Sequence, residues 1–241
     1  MSFGMQALKA GTAVQHSVAQ ADWFECLPQN ARLDFETCMV RRRFAGGKAV
    51  FREGDPGSVM YRIVSGQVRI RTVSPGGKEA LVVVYGPGNV IGAVSVLDGQ
   101  PRPYDGITEC DTVLDALSAE DFHRVAAIHP GVYKAVALSY SAWIRNLHAM
   151  FANGLSLEER LARRLDFILD CCAAEGGDGA PGALRIRFTQ EMLAAVLAVS
   201  RQAISKLLQK WQQAGVIDYK YGSVLVRDRD GLRRLAGRVH C

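Results

Sequence analysis

Residues 189–211 gather hydrogen-bonding and cationic side chains at helical spacing. Thr189 suits the cap of a short first helix, in which Ala194, Ala195 and Leu197 are small or apolar enough for a close helix crossing. After a three-residue turn Ser200 suits the cap of a second helix, with Ile204, Leu207, Leu208 and Trp211 forming its apolar stripe. Arg201, Gln202, Ser205, Lys206 and Gln209 fall toward the other side, and no acid stands among them. A helix fits the DNA major groove, where Arg, Lys and Gln match the donors and acceptors of base edges. Thr189 and Gln190 are placed to hold phosphate, and Lys210 and Lys220 are candidates for further phosphate contacts. An amphipathic hairpin with a polar outer face would show much of the same pattern. The next stretch argues against it, because residues 215–226 read as two strands around Tyr221-Gly222, the wing expected directly after a recognition helix. A short closing helix is predicted over 228–235.

The charge distribution points the same way. Residues 182–241 hold eleven Lys and Arg against four Asp and Glu, whereas the whole 241-residue chain is only +5. The rest is therefore slightly acidic, and the basic end is the one suited to a polyanion. No apolar run is long enough to span a bilayer, and the first residues lack the basic-then-apolar pattern of a secretory leader, so the cytoplasm is the expected compartment. The six cysteines include no CxxC pair, and reduced, partly buried thiols are expected. The enzyme class finds no support: there is no nucleophile elbow, phosphate loop, HExxH or paired-acid motif, and Gly76-Gly77-Lys78 reads as a hairpin turn.

These residues need elements to position them. Residues 1–22 read as an arm, followed by a helical cluster around Trp23, Phe24, Leu27, Leu33 and Phe35. Alternating runs at 58–64 and 67–73, punctuated by Gly46-Gly47, Ser65-Gly66 and Gly86-Pro87-Gly88, predict an antiparallel roll within residues 23–129. Val132, Val136, Leu138, Trp143, Leu147 and Phe151 then recur at three- and four-residue steps, predicting a long helix over 130–154. Its apolar stripe is expected to meet a twin helix of a second subunit or to pack on its own domain. Ser156 and Glu159 form a capping box opening the last unit, 155–241, with Asn153-Gly154 as the expected hinge. The fold class expected is α+β.

The chain resembles the cyclic-AMP receptor/fumarate-nitrate regulator (Crp/Fnr) family of transcription factors from about Trp23 to Leu235. In the first half the carriers are Gly47, Phe51-Arg52-Glu53-Gly54-Asp55, Tyr61-Arg62-Ile63, Ser65-Gly66-Gln67-Val68, Gly86-Pro87-Gly88 and Ile91-Gly92. In the second they are Leu197-Ala198-Val199-Ser200-Arg201 and the wing. The resemblance implies a β-roll of the cyclic-nucleotide-binding kind, a dimerisation helix and a winged helix-turn-helix. It implies a homodimer on two-fold double-stranded DNA, with RNA polymerase a further candidate partner. Arg201 matches the guanine-reading arginine. Gln202 stands where glutamate is usual, which changes the expected half-site. Ala198 replaces the usual turn glycine, at a cost on the order of 1 kcal/mol if φ is positive there.

The effector cassette departs from the family pattern over Gly92, Ala93, Arg102, Pro103 and Tyr104. Ala93 replaces the ribose-binding glutamate and Pro103 the phosphate-binding Ser or Thr, while Arg102 remains, either to bind another anion or to make a surface ion pair. By spacing, Arg145-Asn146 replace the purine-contacting Thr-Ser pair of the long helix. DNA binding is therefore expected to be constitutive or to depend on an unidentified small-molecule effector other than cyclic AMP; the alternative is a classical receptor for cyclic AMP or cyclic GMP. Cys26 and Cys38 are too few for the family's iron–sulfur cluster, and His16, His123, His129 and His148 show no haem motif. No metal is expected, and Cys171-Cys172 read as buried rather than redox-active.

Overall fold

The computed structural model describes residues 23–73, 77, 79–150, 154–172 and 185–237. Helix α1 (Gln29–Cys38) leads into strands β1 (Val40–Phe44), β2 (Ala49–Phe51), β3 (Val59–Ser65), β4 (Val68–Val73), β5 (Glu79–Tyr85) and β6 (Val90–Ile91). Helix α2 (Ala93–Asp98), β7 (Asp105–Thr108), β8 (Thr112–Ser118) and α3 (Ala119–Ile128) follow. The strands make two four-stranded antiparallel sheets, ordered β1-β8-β3-β6 and β2-β7-β4-β5. Alternation explains the arrangement. Every second residue of β4 and β8 turns inward, and Ile63, Val68, Ile70, Val83 and Leu114 meet in one core shared by both sheets. The fold is α+β, and its first half is a β-roll.

A second core seals one end of the roll. Trp23 lies edge-on to Phe35 and Phe122 at 5.7 Å each, with Phe24, Leu27, Val125 and Val132 around them. Leu33, expected in this cluster, is exposed instead, because it faces outward from α1. Helix α4 (Gly131–Met150) packs Val132 and Val136 into this core, so part of its stripe serves its own domain. Leu138 and Ile144, 61% and 45% exposed, lie on a different face. Phe151 and Asn153 fall outside the described residues.

Helix α5 (Leu157–Cys172) opens with the capping box: the Ser156 N–H donates to Glu159 Oε2 at 2.8 Å, and the Glu159 N–H donates to Ser156 Oγ at 3.2 Å. Its apolar face is buried between the roll and the C-terminal elements, which are β9 (Arg185–Arg187), α6 (Gln190–Leu197), α7 (Arg201–Gln213), β10 (Ile217–Lys220), β11 (Ser223–Val226) and α8 (Arg229–Leu235). β9 adds a third strand to the hairpin, in the order β10-β11-β9. Asp166 and Asp170, buried on α5, receive Arg229 and Arg233 of α8, which fastens the winged unit to that helix. Among the described residues, no helix is long and apolar enough to cross a membrane.

Candidate DNA-reading surface and effector cavity

Two local caps and one turn set the helix-turn-helix. Thr189 Oγ1 accepts from the Met192 N–H at 3.2 Å and starts α6; Ser200 Oγ accepts from the Ala203 N–H at 3.2 Å and starts α7. Between them Ala198 adopts the left-handed conformation, φ 54° and ψ 46°, with a methyl group in a position that favours glycine. Ile204, Leu208 and Trp211 are buried, and Leu207 is half-buried. Gln202, Lys206 and Gln209 are exposed along α7, and Ser205 is half-buried beside them. Thr189 is exposed and Gln190 half-buried at the start of α6, and Ser200 is exposed.

Arg201, its side chain 67% exposed, pairs through Nε with Glu191 Oε1 at 2.9 Å and reaches Gln190 Oε1 at 3.4 Å. An exposed pair of this kind contributes little and is readily exchanged for another acceptor. Lys210 stands differently. Its Nζ lies 2.9 and 3.0 Å from the two carboxylate oxygens of Glu158, which also accepts from Trp211 Nε1 at 2.8 Å. Those hydrogen bonds, from Lys210 first and then Trp211, hold the Glu158 carboxyl below its ordinary range. Lys210 therefore ties α7 to α5, a partnership across 52 residues that local spacing does not reveal.

The wing turns tightly because Tyr221 and Gly222 both have positive φ, 52° and 69°, as a two-residue turn of the primed kind requires. Lys220 precedes that turn and is exposed, and Tyr221 is fully exposed. Thr189, Tyr221 and Gly222 line an open cleft whose opposite wall carries Arg69 and Glu109 of the roll.

Within the roll a cavity of about 120 Å³ opens beside α2. Gly92, Ala93, Arg102, Pro103 and Tyr104 line it, together with Phe51, Val83 and Ile91 from the sheets. Helix α4 supplies Tyr140 and Trp143, which sequence spacing did not single out for this site. Arg145 and Asn146, assigned to it by spacing, do not line it: Arg145 is exposed and Asn146 is buried elsewhere on the helix. Arg145, two residues past Trp143, turns to the far side of the helix, whereas Asn146 shares the Trp143 side but lies almost a turn further along the axis.

Arg102 is neither a surface residue nor an ion pair. It is 3% exposed; Nη1 donates to the Gly92 carbonyl at 2.6 Å, Nη2 donates to the Val59 carbonyl, and the guanidinium lies 4.7 Å over the Phe51 ring. Burial pulls its pKa below the ordinary value for arginine. Gly92 permits the approach: a Cβ there would stand 2.6 Å from Arg102 Nη1.

His123 bonds to the Tyr133 hydroxyl and the Val96 carbonyl, and His129 to Asp34. Among the described residues no three metal-ligating side chains gather. Cys171 and Cys172 are buried; burial raises the first thiol well above its ordinary value and the second to about 12.

Residues 41–129 match the cyclic nucleotide-binding domain, and residues 159–235 match the Crp-like helix-turn-helix domain. The chain is 30% identical over 209 residues to the cyclic AMP receptor protein of Thermus thermophilus, covering 81% of this chain and 88% of that protein. It is 28% identical over 197 residues to the CRP-like cAMP-activated global transcriptional regulator of Mycobacterium tuberculosis, covering 80% and 86%. Its fold is similar to FixK2 from Bradyrhizobium japonicum, with a TM-score of 0.64 at 16% identity over 82% of this chain and 96% of that one. The Thermus thermophilus catabolite activator protein gives a TM-score of 0.50 at 28% identity over 90% and 99%. With a nucleotide-binding-type roll, a capped helix-turn-helix and a relative at this identity over most of both chains, the protein belongs to the Crp/Fnr family of transcription regulators.

Proposed function

We propose that the chain acts as a cytoplasmic homodimer that reads a two-fold operator, under control of a small molecule other than cyclic AMP. The observation that carries the reading is α7: it is capped by Ser200, anchored by Ile204, Leu208 and Trp211, and presents Arg201, Gln202, Lys206 and Gln209 to solvent. Arg201 reads guanine, Gln202 changes the neighbouring base preference, and Thr189, Gln190 and Lys220 meet phosphate. Thr189 and the wing turn face Arg69 and Glu109 across the cleft, so DNA reaches them when the winged unit moves from the roll. The exposed Leu138 and Ile144 on α4 support the dimer, since large apolar side chains left uncovered on a long helix suit a twin helix.

The names of the two relatives favour a second reading, a classical cyclic-AMP receptor. The cavity opposes it: Ala93 supplies no carboxylate, Pro103 supplies no donor, and the terminal nitrogens of Arg102 are engaged by backbone carbonyls. The two readings separate in one experiment. Operator fragments selected from random duplexes are bound by the purified protein with and without cyclic AMP, and cyclic AMP is titrated calorimetrically. The proposal expects a palindromic site, dimer stoichiometry and no cyclic-AMP dependence; micromolar cyclic-AMP binding that enhances DNA affinity overturns it in favour of the classical receptor.

A further inference from the structure

We infer that the roll cavity takes a neutral, single-ring apolar molecule, held between aromatic walls rather than by its charge. This deepens the proposal that cyclic AMP is not the effector, and it rests on that reading.

Size is the first argument. At about 120 Å³ the cavity is near the roughly 150 Å³ of apolar cavities known to take up benzene, and well below the roughly 300–1,000 Å³ of pockets for drug-sized ligands. Cyclic AMP, with about 22 non-hydrogen atoms, belongs to the larger class. A one-ring compound belongs to the smaller.

The walls are the second argument. Phe51, Tyr85, Tyr104, Tyr140 and Trp143 give aromatic surface on several sides, and Ile70 and Val83 add aliphatic surface. Rings packed edge-on or offset against such walls gain more than area burial alone provides.

Electrostatics is the third. Arg102 is the one charged residue among the described residues of the lining, and its two terminal nitrogens and one face of its guanidinium are occupied by Gly92, Val59 and Phe51. Ser95 Oγ donates to the Pro101 carbonyl at 3.3 Å. Burial raises the Tyr140 hydroxyl to about 12, so it stays neutral. Among the described residues that line the cavity, only the Arg102 Nε is buried without a hydrogen-bond partner, which makes an anion the competing occupant to be tested. Tyr104 and Val94, both partly exposed, stand at the rim and give an entry path.

The experiment uses the full chain and two fluorinated probes that differ by one carboxylate, fluorobenzene and 4-fluorobenzoate, followed by fluorine NMR. Fluorobenzene is expected to bind with a dissociation constant of about 0.1–1 mM, the range of an apolar ligand of about seven heavy atoms. The benzoate is expected to bind at least about tenfold more weakly, because its charge must be desolvated against a single open donor, the Arg102 Nε. Ala93→Phe, which fills the cavity, is expected to abolish fluorobenzene binding. Tyr104→Ala, at the partly exposed rim where truncation spares the core, is expected to weaken it about threefold or more with an unchanged thermal midpoint. Equal or tighter binding of the benzoate overturns neutrality. Absence of fluorobenzene binding, or binding indifferent to both variants, overturns the proposal while leaving the non-nucleotide reading intact. Displacement of fluorobenzene by micromolar cyclic AMP overturns that reading as well.

Discussion

The Asn89 side-chain amide donates to the Cys171 backbone carbonyl at 2.8 Å and to the Gly86 carbonyl at 3.1 Å, joining the β5–β6 turn of the roll to the end of α5. The Gly86 N–H donates to the same Cys171 carbonyl at 3.1 Å, and the Cys172 thiol donates to the Val84 carbonyl at 3.3 Å. Gly86 has no space for a side chain, since a Cβ would lie 2.8 Å from the Cys172 carbonyl oxygen. The roll therefore grips the helix that carries the winged unit through the Gly86 N–H and the side chains of Asn89 and Cys172.

Removing that grip should be measurable. Asn89→Ala removes two hydrogen bonds to carbonyls that each keep one backbone donor, and we expect the unfolding free energy to fall by about 0.5–1.5 kcal/mol per lost bond. Amide exchange at Gly86 should accelerate with it. Unchanged stability and exchange would show that the joint does not depend on this side chain.

Arg201→Ala should relax base preference at one position of each half-site, by about 1–3 kcal/mol of discrimination, while the dimer persists. Anisotropy titrations against operator variants test this. An unaltered preference would remove Arg201 from base reading.

Lys220 and Lys210 should part company. Lys220→Ala is expected to weaken binding to all sequences alike and to lower the salt slope by about 1, since Lys220 is exposed beside the wing turn, where we propose it meets phosphate. Lys210→Ala should change the slope less and instead lower the thermal midpoint, because Lys210 is held by Glu158. Equal slope changes for the two variants would contradict the division.

The dimer is expected to depend on the outer face of α4. Leu138→Glu with Ile144→Glu should give monomers in sedimentation and at least about tenfold weaker operator binding. Trp143→Glu should disturb the cavity first, since Trp143 lines it. A double variant that remains dimeric would place the interface elsewhere.

Alkaline pH should destabilise the fold. In the unfolded chain Cys172 and Tyr140 lose their protons near their ordinary values of 9.0 and 10.0, whereas both hold them to about 12 when folded. Between those values the unfolded state binds fewer protons, so stability declines as pH rises. At pH 8, iodoacetamide should label the exposed Cys26 and Cys110 well before Cys171 and Cys172. Rapid labelling of Cys171-Cys172 in the folded protein would contradict their burial.

The sequence by itself determined whatever is set by neighbours within a turn or two. Thr189, Ser200 and the Ser156–Glu159 box cap their helices because a side-chain oxygen three residues from a free N–H needs no tertiary help. The Tyr221-Gly222 turn and the alternation of β4 and β8 are local in the same sense. The tertiary structure alone decided matters that depend on what packs across the chain. It directed Val132 and Val136 inward, left Leu138 outward, and placed Trp143 rather than Arg145 against the roll cavity. It paired Lys210 with Glu158 and surrounded Arg102 with carbonyls that lie 10 and 43 residues away. A helical stripe fixes which residues share a face, but the neighbour that buries that face, and the partner that satisfies a buried charge, come from distant segments whose arrangement only the packed core selects.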